Sequence, residues 1–269
     1  GTACLVYIDD VIVLGKDIEE HRNNLIKILE IFRRKGIKLK LEKCHFFKEE
    51  VEFLGHIISK DGVKPCLDKV EGIRNFPRPK NNKEVSSFLG LSGYYRKFIK
   101  DYGRIVRPLN QLKNAQAFEW GKEEEDAFIE LKNALTGKEV LMYPRFDRPF
   151  VITTDETNYA IGGVISQLDD SGMERPICFS SRTLLKSEVN YSTLEKEALS
   201  IVWMLDRHRY ILLGHKIWIR SDHSPLRDLF NKDPRNSRQY RWIQQILEFD
   251  IENFEHIVGK QNVVADALS

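Results

Sequence analysis

Two short apolar runs separated by two aspartates form the first clear pattern in the chain. Residues 5–8 (Leu-Val-Tyr-Ile) lead into Asp9 and Asp10, and residues 11–14 (Val-Ile-Val-Leu) follow directly. Such runs joined by a two-residue turn are typical of a β-hairpin, with the aspartates at the turn, and the apolar residues predict that both strands are buried. A buried hairpin that presents two carboxylates is a candidate Mg²⁺ site, whereas an ordinary tight turn is the alternative.

The spacing of apolar residues then predicts one helix and two strands. The helix covers residues 18–35, where apolar residues recur at helical spacing, and Asp17 is a suitable cap before it. Apolar residues alternate strictly with lysines over residues 37–41, which predicts a half-exposed strand, and residues 51–58 predict another. From the pattern alone, both are plain edge strands.

Three helices are predicted next, and they are rich in positive charge. They cover residues 65–76, 83–100 and 104–113, and prolines at positions 77 and 79 separate the first from the second. Ten Lys or Arg residues but two acidic residues lie between residues 74 and 113. Such a stretch is either a solvated helix surface or a surface for the phosphate backbone of a nucleic acid.

The charge balance reverses in the following helix, predicted over residues 122–135. Residues 119–130 contain six acidic residues and one lysine. This acidity argues against direct phosphate contact, so we interpret the helix as structural.

Beyond residue 150, the pattern indicates a sheet combined with helices. Three strands, a long helix, a strand, a helix, a strand and a final helix follow one another, an order that predicts an α+β layer fold. The predicted strands are 150–155, 160–168, 176–181, 216–222 and 251–258, and the predicted helices are 192–213, 236–248 and one that begins at Asn262.

The composition allows more than one folded domain. The chain has 269 residues, of which 42% are hydrophobic and 10% aromatic, and its net charge is only +2. The four cysteines lack CxxC spacing, so we expect reduced thiols in an intracellular protein and no zinc site. The sequence has no apolar run of about 18 residues, so we expect no membrane partner. Because Gly1 lies within a predicted sheet element, we expect the chain to be part of a longer one.

Several carboxylates of the second half are candidates for chemistry. Asp155 and Asp222 each end a predicted strand, so neighbouring strands would bring both to one rim of the sheet. Asp266 lies between apolar residues in the last predicted helix, where an acidic residue is equally compatible with an exposed helix surface.

Two glutamates of the long helix, Glu195 and Glu197, compete for a role beside these aspartates. Both flank the apolar stripe at similar angles, so periodicity does not choose between them. The sequence Ser192-Thr193-Leu194-Glu195 fits a capping box, in which the third helical residue reaches back to the helix start. Glu195 therefore has a structural role, and Glu197 is the candidate for chemistry.

Seven segments resemble the motifs of gypsy-type long-terminal-repeat retrotransposon reverse transcriptases with their ribonuclease H, and they occur in the order of that family. The first is the Tyr-x-Asp-Asp signature at residues 7–10. The others are KLKLEKCHFFKEEVEFLGHIIS, FLGLSGYYRKFIKDY, TTDETNYAIGGVISQ, YSTLEKEALSIVW, SDHSPLRDL and VGKQNVVADALS.

This resemblance implies a multidomain α/β and α+β chain. It is expected to contain the C-terminal part of a reverse-transcriptase palm with the primer grip at residues 1–63, and a helical thumb at residues 64–115. A linker at residues 116–148 would lead to a ribonuclease-H-like domain, a mixed five-stranded sheet with helices, at residues 149–269.

The resemblance also implies an RNA-directed DNA polymerase that cuts the RNA strand of RNA–DNA hybrids by two-metal catalysis. Two Mg²⁺ ions per active site are expected, for which Mn²⁺ can substitute, with an RNA or DNA template, a primer and deoxynucleoside triphosphates as partners. The third palm aspartate and the fingers of such polymerases would lie upstream of Gly1. The implied location is intracellular, in particles of the parent element in the cytoplasm, or in the nucleus.

The family motifs assign roles to particular residues. Metal-binding and catalytic roles fall on Asp9 and Asp10 in the polymerase half and on Asp155, Glu197, Asp222 and Asp266 in the nuclease half. His256 lies ten residues before Asp266, where retroviral ribonucleases H have an active-site histidine; many gypsy-type elements have tyrosine there, and a surface histidine on a strand is the alternative. Contacts to nucleic acid are expected from Tyr7, from the primer-grip residues Phe53, Leu54, Gly55 and His56, and from the thumb residues Arg96, Lys97 and Lys100.

Two other functions are compatible with parts of the pattern. A decayed or host-adopted element would be a non-catalytic nucleic-acid-binding module, but the acidic ligands that decay usually removes are present. An integrase-like nuclease shares the ribonuclease-H-like fold, but the thumb and primer-grip segments argue against it.

Overall fold

The computed structural model describes residues 3–135, 140–221 and 237–256. These residues divide into two units between Lys60 and Asp61, and each unit has its own strands and helices.

The first unit begins with the predicted hairpin. Strand β1 (Cys4–Tyr7) pairs antiparallel with β2 (Asp10–Val13), and Tyr7 lies opposite Asp10. The turn therefore consists of Ile8 and Asp9, whereas we predicted Asp9 and Asp10. The prediction that both strands are buried is also wrong. The side chains of β1 are largely exposed, although Ile12 of β2 is buried. A two-stranded ribbon has two faces, and a single helix of this unit packs on it.

That helix, α1 (Ile18–Lys35), agrees with the prediction at both ends. The Asp17 carboxylate accepts a hydrogen bond of 2.7 Å from the Glu20 amide, and Gly36 ends the helix in a left-handed conformation. The strand predicted over residues 37–41 is wrong, since a short 3₁₀ turn, Leu41–Lys43, follows an irregular stretch. A strand needs a neighbour for its backbone hydrogen bonds, and the described ladders of this unit pair other residues.

The single strand predicted over residues 51–58 is instead a second hairpin. Strands β3 (Glu50–Phe53) and β4 (His56–Ser59) pair antiparallel around a two-residue turn. Leu54 and Gly55 have φ angles of 49° and 67°, as a type I′ turn requires. Glycine takes this conformation without strain, and leucine does so at a cost.

The second unit starts with strand β5 (Gly62–Pro65) and a helical layer. The helix predicted over residues 83–100 ends early, and a 3₁₀ turn, Arg96–Phe98, follows. The chain then turns back on this helix, since the Tyr102 hydroxyl lies 3.1 Å from that of Ser92, whereas a helix continued over these ten residues would rise by about 15 Å. None of the helices in the described ranges is long and apolar enough to span a membrane. The helices of this layer are α2 (Leu67–Arg74), α3 (Asn82–Tyr94), α4 (Tyr102–Ile105), α5 (Arg107–Lys113) and α6 (Lys122–Ala134).

Two acidic residues of helix α6 pair with arginines of the same unit, which supports the structural interpretation of this helix. Glu130 accepts a hydrogen bond of 2.7 Å from Arg104. Glu125 forms a 3.0 Å ion pair with Arg78, whose guanidinium lies 5.5 Å from the centre of the Trp120 ring. Part of the positive charge between residues 74 and 113 is therefore neutralised within the chain.

A mixed five-stranded sheet completes the second unit, as predicted. Its strand order is β10-β9-β6-β7-β8, in which β9 runs parallel to β6 and β10 while β7 is antiparallel to β6 and β8. The long helix predicted over residues 192–213 is divided at His208 into two helices. The elements are β6 (Phe150–Glu156), β7 (Ala160–Leu168), β8 (Glu174–Thr183), α7 (Thr193–Arg207), α8 (Arg209–Leu212), β9 (Lys216–Ser221), α9 (Ser237–Ile246) and β10 (Asp250–His256).

Both the helical layer and α7 pack against this sheet. Helix α7 buries Ala198, Ile201 and Leu205 in one core with Ile152 and Ile219 of the central strands. Strand β8 contributes Ile177 to this core and also contacts the helical layer, since Phe179 belongs to the core formed by α2 to α6.

Gly103 makes the close approach of α4 to β8 possible. Its amide donates a 2.7 Å hydrogen bond to the Ser181 hydroxyl. A Cβ atom at this position would lie 2.8 Å from backbone atoms of Arg182, which is closer than packed atoms tolerate.

We predict that Gly103→Ala destabilises the chain by about 1–3 kcal/mol, the usual cost of overpacking a filled core. Gly90→Ala is the matched control, because Gly90 is exposed within α3 and has no atom within 4 Å of an added Cβ. It should stabilise the chain by roughly 0.5–1 kcal/mol through helix propensity. Urea unfolding of both variants measures the difference, and equal stabilities would contradict the role of Gly103.

Candidate metal site and nucleic-acid surface

Asp155 lies where the central strand β6 nears its carboxyl end. It is exposed, and its backbone pairs with Gly162 of β7. On the other side, β6 and β9 are parallel neighbours, with Thr153 opposite Arg220. This is the strand arrangement predicted to bring Asp155 and Asp222 to one rim. The pairing of these two strands is confirmed as far as Arg220, and Asp222 itself lies outside the described residues.

Glu197 lies on the face of α7 that packs on the sheet. Its side chain is 2% exposed, and the Ser221 hydroxyl at the end of β9 donates a 3.4 Å hydrogen bond to its carboxylate. One turn further along α7, Ser200 donates a 2.8 Å hydrogen bond to the Gly162 carbonyl, beside Asp155. The two bonds fix this helix face over the carboxyl ends of β6 and β9.

Glu195 has the structural role that the capping box predicts. Its carboxylate accepts a 3.1 Å hydrogen bond from the Ser192 amide, and its own amide donates at 3.3 Å to the Ser192 hydroxyl. The Arg238 guanidinium also contacts this carboxylate. Burial raises the pKa of Glu195, but the hydrogen bonds from Arg238 and Ser192 outweigh burial and hold the pKa below its usual range.

A buried hydroxyl group belongs to Thr154, the residue before Asp155 in β6. Thr154 is 3% exposed, and its hydroxyl has no hydrogen-bond partner within the described ranges. Strand alternation puts Thr154 on the same face as Ile152, which packs under α7. Hard divalent cations take oxygen ligands, and Thr154, Asp155, Glu197 and Ser221 supply side-chain oxygens of this kind at one end of the sheet.

The described residues contain only part of the predicted metal site. Asp222 and Asp266 lie outside them, and among residues 3–135, 140–221 and 237–256 no three His, Cys, Asp or Glu side chains form a metal-binding group. The assignment of the four carboxylates as ligands stays a prediction. His256 ends β10, is exposed, and lies opposite Ser221 in the parallel register. This places it at the same end of the sheet, and its role also stays a prediction.

The candidate polymerase residues lie on the two hairpins of the first unit. Asp9 and Asp10 occupy the turn and the first position of β2, and Tyr7 faces Asp10 across the ladder. Ile8, between them, has a φ of 54°, which is rare for a β-branched residue and strains the backbone. In the second hairpin, the His56 imidazole lies 2.8 Å from the Leu54 carbonyl, across the turn that also contains Gly55 and is preceded by Phe53.

The structure gives two of the three predicted thumb contacts a different environment. Arg96 donates a 2.7 Å hydrogen bond to the Ser181 carbonyl of β8, and burial lowers its pKa. Lys97 is half-buried, and burial lowers its pKa as well. Arg96 and Lys97 lie in a 3₁₀ turn and not in the helix predicted to carry them, and their assignment as phosphate contacts stays a prediction. Lys100 is half-exposed and stays a predicted phosphate contact.

Arg238 was missed by the sequence reasoning. It lies in α9, 43 residues beyond the glutamate it contacts, and no local pattern links two such positions. Its only sequence signal is a positive charge near the start of a short amphipathic helix.

Comparisons with known proteins match both halves of the chain. Residues 1–58 match the family described as reverse transcriptase (RNA-dependent DNA polymerase), and residues 120–219 match the RNase H-like domain found in reverse transcriptase. The retrovirus-related Pol polyprotein from transposon 297 of Drosophila melanogaster is 43% identical over 99% of this chain, and that from transposon gypsy is 38% identical over 100%. The chain spans 25% and 27% of their lengths.

Solved structures show the same fold. The foamy viral protease-reverse transcriptase in complex with dsDNA has a TM-score of 0.80 at 23% identity, over 94% of this chain and 54% of that one. The same protein in complex with RNA/DNA hybrid has a TM-score of 0.79 at 24% identity, over 94% of this chain and 35% of that one.

We predict that Glu195→Gln lowers the free energy of unfolding by about 1–2 kcal/mol at pH 7, because it weakens a helix cap and a charged hydrogen bond. The folded-state pKa of Glu195 is below its usual value, so its contribution is present above the unfolded pKa of about 4.3 and is lost as pH falls through the folded pKa. The difference from wild type should therefore shrink in acid. Urea unfolding at several pH values measures it, with Asp206→Asn, an exposed position on the same helix, as control. A pH-independent difference would contradict the ionic part of this role.

Proposed function

The chain belongs to the gypsy-type retrotransposon Pol polyproteins, and from this premise we propose that it cuts the RNA strand of RNA–DNA hybrids and takes part in copying RNA into DNA. Both activities are properties of the longer polyprotein, of which it spans about a quarter. We propose an intracellular location, in particles of the parent element.

A single observation supports the nuclease activity most strongly. Glu197 is almost completely buried on a helix face that lies over the carboxyl ends of two parallel strands, and one of those strands carries Asp155. Burial of a carboxylate is unfavourable unless hydrogen bonds, a proton or a cation compensate its charge. A divalent cation held by Glu197 and Asp155 would place a positive charge beside this buried carboxylate.

The residues of this site have separate roles in the proposal. Asp155 and Glu197, with Asp222 and Asp266, would hold two Mg²⁺ or Mn²⁺ ions. Such ions supply an activated water and neutralise the developing charge at the phosphodiester. The Ser221 hydroxyl would keep the Glu197 carboxylate in place, and His256 would exchange protons at the same end of the sheet.

The polymerase role rests on the first unit. Asp9 and Asp10 would hold Mg²⁺ at the tip of the first hairpin, with Tyr7 beside the primer end. The tight turn of the second hairpin, Leu54 and Gly55, would support the primer on a template of RNA or DNA while deoxynucleoside triphosphates are added. The strained backbone at Ile8 supports a functional turn, because strain persists where the surrounding structure imposes it.

The nucleic-acid surface of the second unit is proposed to include Lys100 but not Arg96. Lys100→Ala should therefore flatten the slope of log K against log salt for hybrid binding by about 0.9, the contribution of one phosphate contact. Arg96→Ala should leave the slope unchanged and lower stability by about 1–3 kcal/mol, because it leaves the buried Ser181 carbonyl without a charged donor. Fluorescence anisotropy at several salt concentrations, with urea unfolding, separates the two effects. The opposite pattern would contradict the assignment.

If the chain has the proposed nuclease activity, two isosteric substitutions should strongly reduce cleavage. Asp155→Asn and Glu197→Gln each keep the side-chain shape and remove a ligand charge. Because changes next to a metal ligand already cost about 10–100-fold, loss of a ligand should reduce cleavage by about 100-fold or more. Glu197→Gln should melt at the wild-type temperature or above it, since it removes a buried charge.

The measurement is cleavage of a labelled RNA–DNA hybrid with Mg²⁺, beside a thermal melt of each variant. Asp206→Asn, on the exposed side of the same helix, is the control and should cut like wild type. Full activity of Glu197→Gln would refute the ligand assignment. A wild-type chain that binds hybrid but never cuts it would favour a non-catalytic nucleic-acid-binding module.

A further inference from the structure

An arginine of the helical layer stacks on a tyrosine close to the candidate metal site. Arg107 is the first residue of α5, and its guanidinium carbon lies 3.7 Å from the centre of the Tyr159 ring. Tyr159 lies in the turn between β6 and β7, four residues after Asp155. The stacked pair therefore joins the helical layer to the end of the sheet at which Asp155 lies.

The backbone of this turn is held by hydrogen bonds on both sides of the tyrosine. The Thr157 hydroxyl accepts hydrogen bonds from the Tyr159 amide at 3.3 Å and from the Ala160 amide at 3.0 Å. The Tyr159 carbonyl accepts a 2.8 Å hydrogen bond from the amide of Leu184, just after β8. Because Tyr159 is also 47% exposed, a well-fixed backbone presents its ring at the surface.

The Arg107 guanidinium keeps its hydrogen-bonding edge available. Arg107 is half-buried, and within the described part of the chain its guanidinium has neither an ion pair nor a hydrogen bond besides the contact with the ring. Arg104, three residues earlier, differs, because it donates a 2.7 Å hydrogen bond to Glu130. A guanidinium has five N–H donors in its plane, and stacking on a ring occupies only its face. Since the ring already restricts the side chain, Arg107 can bind an anion at a low cost in conformational entropy.

The position of the pair favours a phosphodiester as that anion. Four residues of extended chain span at most about 14 Å, so the Cα atom of Tyr159 lies within that distance of the Cα atom of Asp155. Successive phosphates of one nucleic-acid strand lie about 3.4 Å apart along the helix axis. A strand with one phosphodiester at Asp155 therefore has further phosphates within reach of the pair.

We propose that Arg107, stacked on Tyr159, binds a phosphate of the RNA–DNA hybrid a few nucleotides from the bond that the nuclease cuts. The inference rests on the proposed function, because it takes Asp155 as a metal ligand beside the scissile phosphodiester. Arg107 is a substrate-binding residue and takes no part in bond cleavage. Tyr159 supports the guanidinium and leaves its N–H edge to the phosphate.

The test is hybrid binding by the full chain, measured by fluorescence anisotropy without divalent metal so that no cleavage occurs. Arg107→Gln should weaken binding about 10-fold, the typical contribution of one hydrogen bond to a charged group. It should also flatten the slope of log K against log salt by about 0.9. Arg104→Gln is the matched control, because it removes the same charge where Glu130 already neutralises it, and it should change neither quantity. Tyr159→Phe should bind like wild type, whereas Tyr159→Ala should bind more weakly because the guanidinium loses its support.

Cleavage kinetics with Mg²⁺ and a modified hybrid give two independent readouts. A phosphate contact away from the reacting bond is equally strong in the ground state and the transition state, so Arg107→Gln should raise KM about 10-fold and leave kcat unchanged. A neutral methylphosphonate at the contacted phosphate should weaken binding by wild type but not by Arg107→Gln, because both changes remove the same contact. A scan in which every position weakens the two proteins equally would contradict the contact.

A purely structural contact between Arg107 and Tyr159 gives a different result. Arg107→Gln would then lower the melting temperature and leave the hybrid affinity and the salt slope as they are in Arg104→Gln, which overturns the proposal. If Arg107→Gln does not fold, equal affinities of Tyr159→Ala and Tyr159→Phe overturn it. A wild-type chain that binds hybrid but does not cut it refutes the nuclease, while the salt slopes still decide the role of Arg107. A wild-type chain that binds no hybrid refutes both.

Discussion

The packing of α7 on the five-stranded sheet is the constraint on which the rest of the second unit depends. The helix buries Ala198, Ile201 and Leu205 against the central strands, and the same face carries the carboxylate of Glu197. A buried acid is tolerated where hydrogen bonds or a cation compensate its charge. The hydrogen bond from Ser200 to the sheet and the cap at the helix start hold this part of α7 in place.

At the edge strand β8, a different constraint applies, because the helical layer must approach the strand closely. Gly103 has no side chain that would collide with β8, and Arg96 donates a hydrogen bond to a backbone carbonyl of that strand. The basic stretch of the sequence is therefore divided by the fold. Some of its charges hold the layers together or pair with α6, and others, such as the half-exposed Lys100, are not assigned to such contacts. In the account proposed here, the latter carry the nucleic-acid contact.

Sequence patterns correctly predicted the helices and strands that are determined by neighbouring residues in the sequence. The strand over residues 160–168 and the helix over residues 18–35 have the predicted bounds, because alternation, periodicity and capping determine them. The choice between Glu195 and Glu197 also followed from a local capping rule. Local patterns failed where a distant partner decides the outcome. Arg96 bonds a strand 85 residues away, and Arg238 bonds a glutamate 43 residues away. The strand expected over residues 37–41 failed for a related reason, since alternation marks a strand only if a neighbouring strand pairs with it.

We propose that the buried Glu197 carboxylate holds a cation, and the dependence of stability on Mg²⁺ tests this proposal most directly. A ligand that binds only the folded chain stabilises it by RT ln(1 + [L]/Kd), about 2.7 kcal/mol at one hundred times Kd. The account predicts that wild type gains stability as Mg²⁺ is added, whereas Glu197→Gln is at least as stable as wild type without metal and gains little with it. Equal gains for the two proteins across the titration would contradict the claim.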